Sequence, residues 1–441
     1  VKSNTVFLLK GYAGTGKTTL ISSLVKDIWK TGFKIVLMAP TGRAAKVMTA
    51  YSNISAKTIH KQIYYPRAEK GGKISFQLKP NKYKKTLFVI DEASMIGDDR
   101  QNSNLFENGS LLNDVFQYVS RGEKCKLLLV GDQAQLPPIN LDLSPALDEE
   151  ELQQFHFDQV FIVELDKVIR QKKDSGILKN ATQLRVDLNF GVYDQFKFDI
   201  RGVNDIFFTN NGMDVFEAIE SAFSDEGIDQ TIFIVRSNKR ANMYNKNIRR
   251  RILGLEEELS VGDQLMVVKN NYFWLEPNSG PGFIANGDII KILSIYSLKE
   301  IYGFSFAEVR VQLVDYLGEK PFDTILLLNT LEAETASLSL EEGNLLYQAV
   351  LEDYSSLRSN YKKFLSVKKN RFFNALQVKY SYAVTCHKSQ GGQWANVFIE
   401  KPFLTEGPTK HYLRWLYTAM TRATKQLYLL GFSNDDFINI E

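Results

Sequence analysis

Gly11-Tyr12-Ala13-Gly14-Thr15-Gly16-Lys17-Thr18 fits the pattern G-x-x-x-x-G-K-[ST], and its surroundings give the match its weight. The apolar run Val6 to Leu9 precedes it and reads as a strand; behind it, Leu20, Ile21, Leu24, Val25 and Ile28 recur at the spacing that buries one face of a helix. A strand, a glycine-rich turn and a helix in that order make a phosphate cradle. Gly14 and Gly16 let backbone N–H groups approach phosphate oxygens, and the helix N-terminus adds positive partial charge. Lys17 is placed to reach β- and γ-phosphates, and Thr18 to offer its hydroxyl to Mg²⁺. The predicted nucleotide cradle runs from Gly11 to Thr19 and includes Ala13 and Thr15.

A phosphate cradle that hydrolyses its ligand needs carboxylates nearby. Leu87-Phe-Val-Ile-Asp91-Glu92 supplies two, at the carboxyl end of an apolar strand where ligands of open α/β sheets bind. Asp91 is the predicted metal ligand and Glu92 the predicted base that orients and deprotonates water. A third strand, Leu127 to Val130, runs into Gly131-Asp132-Gln133-Ala134-Gln135, whose neutral amide at Gln135 can bond either a γ-phosphate or the attacking water. Ile35 to Met38 completes an early group of strands; Ile232 to Val235, Tyr382 to Val384, Val397 to Ile399 and Leu427 to Leu430 form a late one. Continuous apolar strands alternating with helices predict parallel sheets covered on both faces, so the fold class is α/β. Between Thr231 and Tyr382 the pattern changes: Gly262-Asp263, Asn286-Gly287 and the alternation from Glu308 to Leu313 predict a small antiparallel, barrel-like insert, and Glu341 to Lys369 reads as one long helix.

The 441 residues exclude a single small binding module. Fifty-four basic and 51 acidic residues give +3, with 44% hydrophobic and 24% charged, an ordinary globular mixture whose total charge says little about partners. Charge resolved along the chain is more informative. Arg236 to Arg251 holds seven basic residues and no acidic one, Lys61 to Lys85 holds eight basic residues against Glu69, and Leu331 to Asp353 holds six acidic residues and no basic one. Two basic stretches favour a polyanion track. Cys125 and Cys386 are too few for a disulfide framework or a four-ligand zinc site, and no apolar run has the length of a bilayer span. A cytoplasmic protein without a membrane segment is expected.

Further motifs carry a family resemblance. Ala39-Pro40-Thr41-Gly42-Arg43-Ala44-Ala45-Lys46, Thr58-Ile59-His60, Gly131-Asp132-x-x-Gln135, Val168-Ile169-Arg170-Gln171, Tyr382 through His387-Lys388-Ser389-Gln390-Gly391, and Leu416 through Thr421-Arg422-Ala423 follow one another in the order of the superfamily 1 helicase motifs. The Thr-Ile-His and His-Lys-Ser-Gln-Gly spellings resemble the 1B branch, the RecD-like and Dda-like group. The resemblance implies two RecA-like domains, 1A (residues 1–60 and 87–165) and 2A (residues 166–255 and 376–441). It also implies a β-hairpin insert, 1B (residues 61–86), and an SH3-like insert with a helical excursion, 2B (residues 256–375).

By the same resemblance Gln135 senses the γ-phosphate, and Gly391 joins Arg170 and Arg422 at the nucleotide. Arginines are apt there because charge developing on a transferred phosphoryl group needs cations. The resemblance further implies that Pro40, Thr41, Thr58, His60, His387, Lys388 and Ser389 contact single-stranded DNA and that Phe76 is the aromatic that splits the duplex, its alternative being packing between hairpin and domain. ATP and Mg²⁺ are the implied cofactors, with the adenine-reading segment expected upstream of Val1. The implied activity is 5′-to-3′ translocation with unwinding at single-strand/duplex junctions, by a monomeric motor that meets replication or repair proteins. Two other readings stay open: a RecD-like motor subunit of a nuclease complex, and a nucleotide-gated single-strand-binding switch without processive movement.

Overall fold

The computed structural model describes residues 5–68, 74–97, 109–154, 159–167, 175–209, 212–276, 283–314, 316, 319–405 and 407–438. The chain forms two compact units, one of residues 1–66, 76–234 and 386–441 and the other of residues 67–75 and 235–385.

The first strands of the chain are β1 (Thr5–Gly11), β2 (Lys34–Ala39), β3 (Lys57–Thr58), a hairpin of β4 (Tyr64–Ala68) and β5 (Ile74–Leu78), then β6 (Thr86–Ile90), β7 (Lys126–Gly131) and β8 (Gln159–Leu165). Six of them form one sheet, in the order β3-β2-β6-β7-β1-β8, and all its pairs are parallel. The strands read as continuous apolar runs because both faces are covered. Val6, Leu8, Phe88, Ile90, Leu127 and Leu129 point into one buried cluster, whereas Leu9, Leu87, Val89 and Val130 point into another on the opposite face. The two-residue period of a strand divides each run between the two clusters.

The same unit holds a second parallel sheet, with strands Thr231–Val235, Trp394–Glu400, Ala423–Leu430 and Ile206–Thr209 side by side in that order. Its register lines up Phe233, Phe398, Tyr428 and Phe207, whose rings stack at centroid distances of 4.5, 4.3 and 5.2 Å. Each such pair adds about 0.5–1.5 kcal/mol beyond the area it buries. Two RecA-like parallel cores therefore stand as the resemblance implied.

In the second unit, Gln264–Val267, Ile289–Ile301, Phe304–Leu313, Phe322–Leu327 and Leu376–Tyr380 close into a barrel. Its longest hairpin turns at Tyr302-Gly303, where both residues have positive φ (60° and 76°), the geometry of a type I′ turn. The expected long helix from Glu341 to Lys369 is instead two, Leu340–Glu352 and Asn360–Lys369. The break has a local cause. Ser359 accepts a hydrogen bond from Lys362 N and starts a new helix there, just as Ser339 caps the first in a capping box with Glu342. Of the basic residues from Arg236 to Arg251, Arg249 is withdrawn from any track: it is buried and its guanidinium grips both oxygens of Asp263 at 2.8 Å, whereas the other six are exposed. No helix among the described residues is long and apolar enough to cross a membrane.

Candidate functional site

The site begins where β1 gives way to the helix Lys17–Asp27. Gly14 and Gly16 adopt φ of 78° and 90°, and no side chain caps the helix, so the N–H groups of its first turn are left for a ligand. A Cβ on Gly11 would approach Thr15 Oγ1 to 2.8 Å and Leu165 Cβ to 3.2 Å, which explains the glycine at the loop entrance. Thr15 Oγ1 donates to Tyr12 O at 2.8 Å, and Lys17 Nζ donates to Gly11 O at 2.7 Å and Tyr12 O at 3.0 Å. The ammonium thus rests on carbonyls of its own loop. An anion is a stronger partner for it than either carbonyl.

β6 delivers the two carboxylates. Asp91 Oδ2 accepts from the hydroxyl of Tyr51 at 2.7 Å, and Oδ1 accepts from Glu92 N at 2.9 Å. Glu92 sits in the left-handed region at φ 55°, a conformation that costs a non-glycine residue about 1–3 kcal/mol and clusters at functional sites. Burial pushes its carboxyl above the usual range; Arg422 and Lys17 pull it down, while Asp91 and Asp132 push it further up. A carboxyl raised by burial is shifted in the direction that suits a group taking a proton from water.

The opposite wall comes from the helix Lys410–Met420. Tyr417, fully buried, accepts from Ala13 N at 2.8 Å and donates to Asp132 Oδ2 at 2.7 Å. Burial, then Asp132, drives its phenol well above the ordinary value, so the hydroxyl keeps its proton. One residue on, Thr418 Oγ1 accepts from Leu136 N, and Gln390 Nε2 donates to Leu136 O, both at 2.8 Å. Arg422 is buried, with Nε on Thr418 O at 3.0 Å and Nη1 on Gly392 O at 3.3 Å. Gln135 is buried too, and its Oε1 has no hydrogen-bond partner. The structure thereby brings Gly11 to Thr18, Asp91, Glu92, Gln135 and Arg422 together. A positive-φ loop with uncapped N–H groups and a buried, unpartnered amide oxygen at Gln135 fit a nucleoside triphosphate and a water. Arg170 lies outside the described residues.

Sequence reasoning missed Tyr417 and Tyr51. Tyr417 stands five positions before Arg422 in a quoted motif, and a tyrosine on a buried helix face needs a partner for its hydroxyl. Tyr51 carries no local signal.

The expected single-strand contacts lie in three segments, residues 40–41, 58–60 and 387–389. Thr41 Oγ1 caps the helix Gly42–Ser52 by accepting from Ala44 N, and Thr58 Oγ1 caps Ile59–Ile63 by accepting from Lys61 N. Pro40, His387 and Lys388 are partly exposed. Ser389 is a correction: it is fully buried, and its hydroxyl donates to Cys386 O at 2.8 Å. A Cβ on Gly391 would meet Ala44 Cβ at 2.8 Å and Thr41 Oγ1 at 3.3 Å, so its loop lies close against Thr41 and Ala44. The Arg43 guanidinium lies 4.0 Å from the ring centre of Trp394 and ties the same two segments together. Phe76 lies in β5, and its side chain is outside the described residues.

Burial lowers His60 to about 4, so near pH 7 its imidazole is neutral and offers hydrogen bonds rather than charge. A depressed histidine makes the unfolded chain the better proton binder. Its contribution is complete above about pH 6.5 and declines as pH falls toward 4, by ~3 kcal/mol at most. His60→Gln is accordingly expected to show a smaller drop in melting temperature between pH 7 and pH 4.5 than the parent. Parallel pH curves for the two proteins would show that His60 is not the group responsible.

A glycine-rich phosphate loop, paired carboxylates at the end of another strand of the same sheet and an arginine contributed by a second parallel sheet define a RecA-like P-loop ATP hydrolase. The AAA-domain family matches residues 1–191, and the UvrD-like helicase C-terminal domain family matches residues 380–430. The chain is 23% identical over 442 residues to the ATP-dependent DNA helicase dda of Enterobacteria phage T4, covering 95% of this chain and 93% of that protein. It is 32% identical over 139 residues to the ATP-dependent RecD2 DNA helicase of Deinococcus radiodurans, 31% of this chain and 16% of that protein. Its fold matches that of a Pif1 helicase from Bacteroides solved with ADP-AlF3 and ssDNA, with a TM-score of 0.50 at 16% identity, covering 100% of this chain and 92% of the other. These family models and relatives agree with the helicase resemblance carried by the motifs.

Proposed function

We propose that the protein is a Mg²⁺-dependent, ATP-driven motor that moves 5′ to 3′ along single-stranded DNA and separates the duplex at the junction ahead. The observation that carries this reading is the composite nucleotide site. Arg422, flanked by the second sheet, acts electrostatically on Glu92 beside the first, and Tyr417 ties the phosphate loop to Asp132. Loss of a γ-phosphate from such a site changes what holds the two sheets together, which turns hydrolysis into movement.

In the chemical step Lys17 and Arg422 stabilise charge on the phosphoryl oxygens, Glu92 takes the proton from water, and the free Oε1 of Gln135 holds that water in line. Thr18 and Asp91 would hold Mg²⁺, which would neutralise phosphate charge. Arg170 joins Arg422. Pro40, Thr41, Thr58, His60, His387 and Lys388 track the strand, with the hairpin and Phe76 as the wedge. The scheme of domains 1A, 1B, 2A and 2B is kept with Leu376–Tyr380 counted in the barrel of 2B, and the motor works as a monomer.

Partial duplexes carrying either a 5′ or a 3′ single-stranded tail test the reading. Unwinding of the 5′-tailed substrate alone is expected, together with ATPase activity stimulated by single-stranded DNA. Stimulation absent altogether would favour the nucleotide-gated switch, and preference for the 3′ tail would reverse the polarity.

A further inference from the structure

The metal carboxylate is oriented by a residue outside every motif quoted above. Tyr51, in the last turn of the helix Gly42–Ser52, donates its hydroxyl to Asp91 Oδ2 at 2.7 Å, while Glu92 N occupies Oδ1 at 2.9 Å. A carboxylate has about four lone-pair sites on its two oxygens. With one donor on each oxygen, its plane is fixed and lone pairs on both oxygens are left to accept a cation. Tyr51 is itself held at both ends. Its carbonyl accepts from Ser22 Oγ at 2.9 Å, and the same Ser22 hydroxyl contacts Thr18 O at 2.9 Å, so the helix bearing the other candidate metal ligand is joined to it. Its ring packs against the buried cluster that includes Leu37, Val89 and Val130. A tyrosine so anchored has little rotamer freedom, and its hydroxyl is delivered to one place.

We propose that Tyr51 is a positioning residue for magnesium: it sets the orientation of the Asp91 carboxylate and thereby the affinity of the site for the divalent ion. The proposal rests on the reading of Asp91 as a metal ligand. Residues that hydrogen-bond a metal ligand usually alter metal affinity by about 10- to 100-fold when removed. Tyr51→Phe keeps the ring in the cluster and deletes only the donor, so the carboxylate is free to turn while the fold is kept.

The test uses the full chain and Mn²⁺ as the probe. Electron paramagnetic resonance reads Mn²⁺ binding in the presence of ADP, and a fluorescent ADP analogue in EDTA reads nucleotide binding without metal. For Tyr51→Phe, Mn²⁺ affinity is expected to fall about ten-fold, the Mg²⁺ concentration for half-maximal ATPase to rise by a similar factor, and metal-free ADP affinity to stay within about two-fold. Unchanged Mn²⁺ affinity, with or without a lower melting temperature, would overturn the proposal and leave Tyr51 a packing residue. Asp91→Asn separates the two levels. If it abolishes Mn²⁺ binding while Tyr51→Phe has no effect, only the positioning role fails; if neither changes Mn²⁺ binding, the assignment of Asp91 fails as well.

Discussion

Glu92→Gln is expected to slow ATP turnover by roughly 10²- to 10⁴-fold, the range that a positioned general base contributes, while nucleotide affinity is retained. The asymmetry follows from the geometry. Lys17 and the N–H groups of the phosphate loop, which bind the nucleotide, belong to other elements, and glutamine preserves the volume and hydrogen-bonding shape of the glutamate. The left-handed backbone at φ 55° is a strain carried by the position, so an isosteric side chain leaves it as it was. Single-turnover ATP hydrolysis beside equilibrium binding of a fluorescent ATP analogue makes the comparison. Turnover within a few-fold of the parent would remove Glu92 as the base, and loss of binding together with turnover would mean that the substitution had disturbed the cradle.

Arg422→Ala is the second large effect, with turnover reduced by about 10³-fold or more, the scale of an arginine acting on a transferring phosphoryl group. Arg422 is buried, and three hydrogen bonds to Thr418 O, Gly392 O and Thr421 Oγ1 fix its guanidinium, so its charge is held at a set point instead of sampling solvent. Arg422→Lys keeps the charge but loses the fork that satisfies these acceptors, and is expected to recover little activity. A matched melting temperature for parent and variants separates a catalytic loss from a folding one. Near-normal turnover in Arg422→Ala would instead make it a structural residue that binds the end of its own helix to Gly392.

How far the site could be read in advance varied with distance along the chain. The phosphate loop was legible because its requirements are local: glycines at positive φ, a lysine and a threonine at the start of an amphipathic helix. The carboxylate pair was legible because a fully buried parallel strand shows as an unbroken apolar run, and Asp91-Glu92 ends one. Other readings failed where local pattern leaves several outcomes open. Glu341 to Lys369 has a helical look throughout, yet Ser359 offers a cap that splits it. Ser389 sits inside a recognisable motif, but packing placed it in the interior.

The sequence by itself determined the α/β class, the two groups of parallel strands, the nucleotide cradle and its carboxylates, because backbone conformation and hydrophobic period are encoded within windows of ten or so residues. Only the tertiary structure decided which side chains complete those parts. Tyr417 meets Asp132 across 285 residues of chain, Tyr51 meets Asp91 across 40, and Arg249 is withdrawn from solvent by Asp263 although its neighbours in sequence are basic. The reason is physical. A buried hydroxyl or guanidinium must find a partner wherever the packed strands and helices bring one within about 3 Å, and that meeting depends on the order of the sheets, which no short stretch of sequence contains.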